Sequence, residues 1–341
     1  MKGGSAVRYS VLDLVPIVEG GTAGEALQRS LELARLAERS GYHRYWVAEH
    51  HTMPGVASAA TAVVIGYLAG GTATIRVGSG GIMLPNHAPL IVAEQFGTLE
   101  SLYPGRIDLG LGRAPGTDQA TVLAIRGSRG RASDTFPSDV EELLAYLGPE
   151  PLAGRPRAVP GQGLRVPVYL LGSSTFSAQL AALMGLPFAF AAHFAPDALF
   201  DAIDLYRRNF RPSGSLNQPY VMVGVTVVAA DSDAEAAWHF TSLQQQFLNL
   251  IRGQPRQLPP PVRRLDDLWS PGEAASVGRM TRYAVVGGPA RVREQLDAFI
   301  ARTGADEIIA TAHIFDQAAR LRSFELLAEA LDARGRGGAV R

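Results

Sequence analysis

The chain has no cysteine and a single lysine, Lys2. Without cysteine there are no disulfides, thiolate nucleophiles, Cys-ligated zinc sites or iron–sulfur clusters. A lone lysine at the N-terminus argues against Schiff-base, aldolase or pyridoxal-phosphate chemistry. Net charge is also missing: 32 basic residues balance 32 acidic ones. Overall electrostatics therefore give no case for nucleic acid or for acidic membranes as partners. No apolar run is long enough to span a bilayer. Met1 to Val7 lacks an apolar h-region, so no secretory signal is expected, and a cytoplasmic location follows.

What is present is a full-sized core. At 341 residues, 47% of them hydrophobic, the chain suits one large domain or two ordinary ones. Arginine carries nearly all the positive charge, and Ala, Gly and Pro are abundant, as in a GC-rich genome.

Short apolar segments alternate with helical patterns along the chain. Tyr9 to Leu14 reads as a first strand. Thr22-Ala-Gly-Glu25 has the spacing of a capping box, in which a hydroxyl and a carboxylate each take an amide of the opening turn. Leu27, Leu31 and Ala34 then recur at helical spacing, and Gly41 stops the helix. Further strands are expected at Arg44–Ala48, Ile75–Ser79, Arg106–Leu109, Val168–Leu171, Phe188–Ala191, Tyr220–Ala229 and Glu307–Ala312. Helical patterns cover 59–69, 89–103, 118–126, 137–147, 176–184, 197–210, 233–252, 289–303 and 317–333. Strands apolar on both faces and alternating with helices mean a parallel sheet covered by helices. The count predicts an α/β fold, a (β/α)₈ TIM barrel with loop insertions. The alternative is an open Rossmann-like sheet. Its glycine fingerprint fails, because Gly110-Leu-Gly112-Arg-Ala-Pro-Gly116 places the third glycine one residue late.

In such a barrel the chemistry lies where the strands end. Arg44-Tyr45-Trp46-Val47-Ala48-Glu49-His50-His51 ends a strand in a carboxylate and two imidazoles. Alternation points His50 away from Glu49 and His51. Adjacent histidines then chelate one metal poorly, and no metal site is expected. One of the two imidazoles is expected to be a buried hydrogen-bonding group. Gly78-Ser79-Gly80-Gly81 leaves bare backbone at the same rim, where a flat ligand can approach. Arg113 follows the next strand and suits a phosphate clamp. Gly172-Ser173-Ser174-Thr175-Phe176-Ser177 opens a helix whose free N–H groups suit an anion.

Trp46-Val-Ala-Glu49-His50-His51, Val77-Gly-Ser-Gly-Gly-Ile-Met-Leu-Pro85, Ala93-Glu94-Gln95, Pro104-Gly-Arg106-Ile-Asp-Leu-Gly-Leu-Gly-Arg113 and Pro167-Val-Tyr-Leu-Leu-Gly-Ser-Ser174 together resemble the bacterial luciferase-like flavin-dependent monooxygenases. The likeness covers roughly Tyr9 to Leu327 and leans toward single-chain oxidoreductases. It implies one barrel domain over 1–335, with 253–277 as a mobile lid; the basic, Gly-rich stretch 336–341 is expected as a disordered tail. The likeness also implies reduced FMN bound at the strand ends and reaction with O₂ through a C4a-hydroperoxide. Carried over by position, His50 is the catalytic histidine, with Glu49 and His51 beside it. Ser79, Gly80 and Gly81 lie against the flavin ring, with a non-proline cis peptide at Gly80-Gly81. Arg113, Gly172, Ser173, Ser174 and Ser177 hold the phosphate and ribityl chain.

Two positions depart from the light-emitting enzymes. Gly112 stands where they have a reactive cysteine, and Ser173 where they have a carboxylate. The substrate-pocket residues do not carry over. With no second nucleotide-binding domain in view, a separate flavin reductase is expected to supply FMNH₂, and the family implies a homodimer. If the composition reflects an actinomycete, an aromatic polyketide intermediate of antibiotic biosynthesis, hydroxylated or epoxidised, is the expected substrate. Three rivals remain: an F420-dependent hydride-transfer enzyme on the same barrel, a metal-dependent hydrolase using Glu49, His51 and His193, and a flavin-binding protein without turnover.

Overall fold

Valine-rich strands too short to stand alone need neighbours on both sides, and the chain supplies them by closing a ring. A computed structural model describes residues 7–114, 119–126, 135–151 and 153–337. The order begins β1 (Arg8–Asp13), α1 (Ala23–Arg39), β2 (Arg44–Val47), α2 (Thr61–Gly70), β3 (Arg76–Met83), α3 (Pro89–Leu102), β4 (Ile107–Gly112). It continues with α4 (Gln119–Arg126), α5 (Phe136–Leu147), β5 (Val168–Gly172), α6 (Thr175–Met184), β6 (Phe188–Phe190), α7 (Leu199–Asn209) and β7 (Val221–Ala229). Then come α8 (Asp233–Ile251), α9 (Pro271–Met280), β8 (Val285–Gly287), α10 (Pro289–Thr303), β9 (Glu307–Thr311) and α11 (Gln317–Gly337).

Every strand pairing is parallel. Of the nine strands, all but β8 close a barrel in which β6 joins β7 and β9 returns to β1. The expected (β/α)₈ barrel is thus the fold. The expected capping box opens α1: Thr22 Oγ1 accepts from the Glu25 N–H at 3.2 Å, and Glu25 Oε2 accepts from the Thr22 N–H at 2.8 Å. Such a cap contributes about 1 kcal/mol.

Alternation along the strands sorts the core into two layers. One face, including Val11, Tyr45, Val47, Val77 and Leu109, packs on the helices. The other face fills the barrel interior with Leu12, Trp46, Ala48, Tyr169, Ala189, Met222 and Ile309. Beneath this plug, where the strands begin, lies a buried ionic network. Arg44 donates to Glu307 at 2.9 Å, to Asp108 at 2.7 Å and to the Tyr169 hydroxyl at 2.7 Å. Arg76 reaches the other Asp108 oxygen at 2.6 Å, and Trp46 Nε1 donates to Asp108 at 3.1 Å. Burial works against the Arg44 charge, but Asp108 and Glu307 outweigh it and hold the guanidinium charged.

The structure departs from the sequence expectation in three places. A ninth strand, β8, pairs with the far end of β7 outside the ring. It is too short to show alternation. The 253–277 stretch, expected as a lid, is irregular only as far as Trp269; α9 then opens on a second capping box, Ser270 with Glu273. Its first part is a strap fastened on both sides. Leu258 is wholly buried; its N–H bonds the Ile17 carbonyl at 2.9 Å, and its carbonyl accepts from Glu19 at 2.8 Å. On the α8 side, Gln245 donates to the Pro260 carbonyl and the Val262 N–H to Thr241 Oγ1, both at 2.9 Å. A β-carbon on Gly55 would lie 2.5 Å from the Arg256 carbonyl, so the loop after β2 and the strap meet only through glycine. Lastly, α11 runs on to Gly337, into the stretch expected as a tail; 338–341 lie outside the described residues, as does Asp118.

Candidate active site

β2 stops at Val47, and the chain leaves it as Ala48-Glu49-His50-His51 at the rim where all the strands end. Glu49 and His51 continue the outward side of β2. The Glu49 carboxylate is 1% exposed and accepts from His51 Nε2 at 2.7 Å, from His87 Nε2 at 2.9 and 3.0 Å, and from the Met83 N–H at 3.0 Å. Burial opposes its ionisation, but His87, His51 and the Met83 amide overcome this and hold the carboxyl below its usual range. His51 is therefore a hydrogen-bonded imidazole. His87, beyond the end of β3, was not visible as a partner, since 38 residues separate it from Glu49. Donor atoms of Glu49, His51 and His87 lie within 4.8 Å of one another, and His87 takes the place that the metal-hydrolase alternative gave to His193. Their contacts have hydrogen-bond lengths, and two N–H donors and an amide satisfy the carboxylate.

His50 continues the inward side of β2, two residues beyond Ala48. His313 stands four residues beyond Ile309, again on the inward side, and His193 lies in the turn after β6. The three imidazoles gather at the inner rim, near enough to disfavour charge on one another. Burial, aided by His313 and His50, pushes the His193 pKa down to about 3. Burial and the Arg320 charge take His313 down to about 4, with Asp13 opposing. His193 lies against β7, where a β-carbon on Gly224 would stand 2.6 Å from its Nδ1.

A pH dependence follows. Unfolded, His313 takes a proton near pH 6.5; folded, it stays neutral to about 4. The unfolded state binds more protons in that window, so stability is full above pH 6.5 and falls as pH drops toward 4. His313 alone should remove about 3 kcal/mol. His193 acts in the same direction, and protonation of Glu49 adds to the loss below its ordinary value of 4.5. Urea denaturation at several pH values measures this; a flat stability from pH 7 to 4.5 would contradict it.

Across the mouth, Arg113 follows β4 and lays its guanidinium over the Phe176 ring, 4.1 Å from the centroid. Among the described residues no carboxylate pairs with it. α6 begins beside it, with Ser174 at the N-cap in extended conformation and making no side-chain cap bond. Ser173 and Ser174 are half-buried there. Ser177 is buried in the first turn and fills the space a Gly172 side chain would need, 2.4 Å from that β-carbon. The Gly80–Gly81 peptide is cis. Ser79 is wholly buried, and its hydroxyl both donates to the Gly110 carbonyl and accepts from the Gly110 N–H at 2.9 Å. Its side chain is thus committed to β4, which leaves backbone as its means of touching a ligand.

The chain is 56% identical over 320 residues to a luciferase-like monooxygenase of Escherichia coli K12, spanning 94% of this chain and 96% of that one. The crystal structure of apo-MsnO8 superposes with a TM-score of 0.85 at 39% identity, over 96% of this chain and 98% of that one. Two more distant structures share the fold. One is the oxygenating constituent of 3,6-diketocamphane monooxygenase from Pseudomonas putida, a type II Baeyer–Villiger monooxygenase in complex with FMN (TM-score 0.74, 19% identity, 95% and 97% covered). The other is an F420-dependent secondary alcohol dehydrogenase (TM-score 0.67, 14% identity, 96% and 99% covered). The sequence profile of the luciferase-like monooxygenases matches residues 7–307, and the chain belongs to that family.

Proposed function

We propose that this protein is a flavin-dependent monooxygenase that takes reduced FMN and O₂ to oxygenate a small organic substrate. The observation that carries the reading is an anion cradle facing a histidine cluster across one barrel mouth. The residues present fit FMN. Arg113, bearing no carboxylate partner among the described residues, and the α6 terminus with Ser173 and Ser174 suit a phosphate. The Gly80–Gly81 backbone suits a flat ring. When bound, reduced flavin supplies the electrons that activate O₂. The chain's own residues orient it, exclude water and handle protons. Glu49, anchored by His51, His87 and the Met83 amide, fixes the loop that carries His50. A ring nitrogen of His50 holds or delivers a proton at the inner rim. The strap between α8 and the β1–α1 loop roofs the mouth and limits water.

Arg113→Ala tests the cradle. A charge-assisted contact contributes about 1.5–3 kcal/mol, so FMN affinity should fall by about 10- to 100-fold. Riboflavin, which has no phosphate, should bind wild type and variant alike. Fluorescence titration reads both. Equal affinity of the variant for FMN, or equal loss for riboflavin, would count against the cradle.

A separate flavin reductase then supplies the reduced cofactor, and the protein works as a homodimer. The neighbouring helices α2 and α3 support the second point: Val63 is 73% exposed, Tyr67 44%, Ile91 47% and Leu102 64%. Light scattering should give twice the chain mass of 36.3 kDa, and Val63→Asp with Ile91→Glu should give monomers. A monomeric wild type would remove the claim.

A further inference from the structure

His193 and His313 have a feature the flavin chemistry does not explain. The Nδ1 atoms of both are buried and lack a hydrogen-bond partner among the described residues. His313 is 5% exposed. Polar atoms are rarely left this way without a reason. His313 continues the inward side of β9 and His193 packs on Gly224 of β7, above an apolar interior that includes Ala189, Met222 and Ile309. Both lie near His50, beyond the ends of β6 and β9.

We propose that His193 and His313 form the polar end of the substrate subsite and receive a neutral hydroxyl or carbonyl group borne on an apolar body. The inference rests on the oxygenase reading for the use of the site and adds the class of substrate. A neutral imidazole offers one N–H donor and one nitrogen acceptor. Two of them match a hydroxyl, which gives and takes, or a carbonyl that takes from either. A carboxylate needs donors and compensating charge. The nearby cation, Arg320, is already spent: it is buried, and its Nη2 donates to Asp13 at 2.6 Å and its Nε to the Ala312 carbonyl at 3.2 Å. Both imidazoles are held neutral through the physiological range, so neither supplies the missing charge.

The test uses the full-length protein, labelled with ¹⁵N at its seven histidines, with and without FMN. Phenol is the probe and benzoate its anionic match in size. Ring-nitrogen signals of His193 and His313, assigned with His193→Gln and His313→Gln, should move saturably with phenol and stay in place with benzoate. In His193→Leu and His313→Leu, phenol affinity should fall about five- to tenfold, while FMN affinity stays as in wild type. If a leucine variant does not fold, the wild-type titration still decides. Benzoate moving both signals as strongly as phenol, phenol moving neither, or unchanged phenol affinity in folded leucine variants would overturn the proposal. Failure of FMN to bind would instead sink the flavin reading and leave the phenol result to stand by itself.

Discussion

His50→Ala is expected to lower the rate of substrate oxygenation by about 10²- to 10⁴-fold, the range for loss of a positioned proton-transfer group. Flavin affinity should change little, because the phosphate cradle of Arg113 and α6 lies across the mouth. The geometry separates His50 from its neighbour. His51 donates to Glu49 at 2.7 Å and shares that carboxylate with His87, so its work is to hold the loop. His50 faces inward beside His193 and His313, at the rim of the barrel mouth. His51→Ala should thus act on loop stability and on binding. His50→Ala should act on turnover. Single-turnover oxidation of reduced FMN, with product formation followed in the same mixing experiment, distinguishes these. A His50→Ala variant that oxygenates at the full rate would remove His50 from the chemistry and leave the fold and cofactor site untouched.

Arg44→Met is expected to be the most destabilising single change at the opposite end of the barrel. Arg44 is 2% exposed and ties Asp108 and Glu307 across the interior. Removing one partner of a buried ion pair costs about 3–5 kcal/mol, because the other charge is left without compensation. Here two carboxylates lose it. Asp108 keeps Arg76, while Glu307, among the described residues, keeps the hydroxyls of Ser10 and Tyr220. A domain typically has about 5–15 kcal/mol to spare, so the variant should be poorly folded at growth temperature. Arg44→Lys should fail nearly as badly, since an ammonium cannot fork to two carboxylates and a tyrosine at once. Urea denaturation measures the loss. A cost below about 1 kcal/mol, the range of exposed ion pairs, would show that the network contributes nothing of note.

The readable parts of the sequence were those set by local chemistry. Parallel strands are buried on both faces, so Val221–Ala229 and its counterparts stand out as apolar runs. Capping at Thr22–Glu25 rests on a three-residue spacing. The placement of Glu49, His50 and His51 followed from where β2 must end, and strand alternation put His50 on the other side from Glu49 and His51. What could not be read depends on pairing across the ring. Asp108 reads as one polar residue in a strand, and only barrel closure brings it to Arg44 and Glu307. His87 and Glu49 meet because β2 and β3 are neighbours. His313 had no local signal beyond its place after a strand, and His193 was weighed only as a metal ligand. Ser270-Pro-Gly-Glu273 did carry the same capping spacing as Thr22–Glu25 and marked α9, but the surrounding prolines and arginines hid its weak periodicity.

The most direct test of the proposed function is an anaerobic titration of the protein with reduced FMN and, in parallel, with reduced F420, followed by mixing with oxygenated buffer. The account predicts saturable binding of reduced FMN, no comparable binding of F420, and oxidation of the bound flavin more slowly than that of free FMN under the same conditions. Binding of F420 with no binding of reduced FMN would contradict it and make the protein a hydride-transfer enzyme on the same barrel.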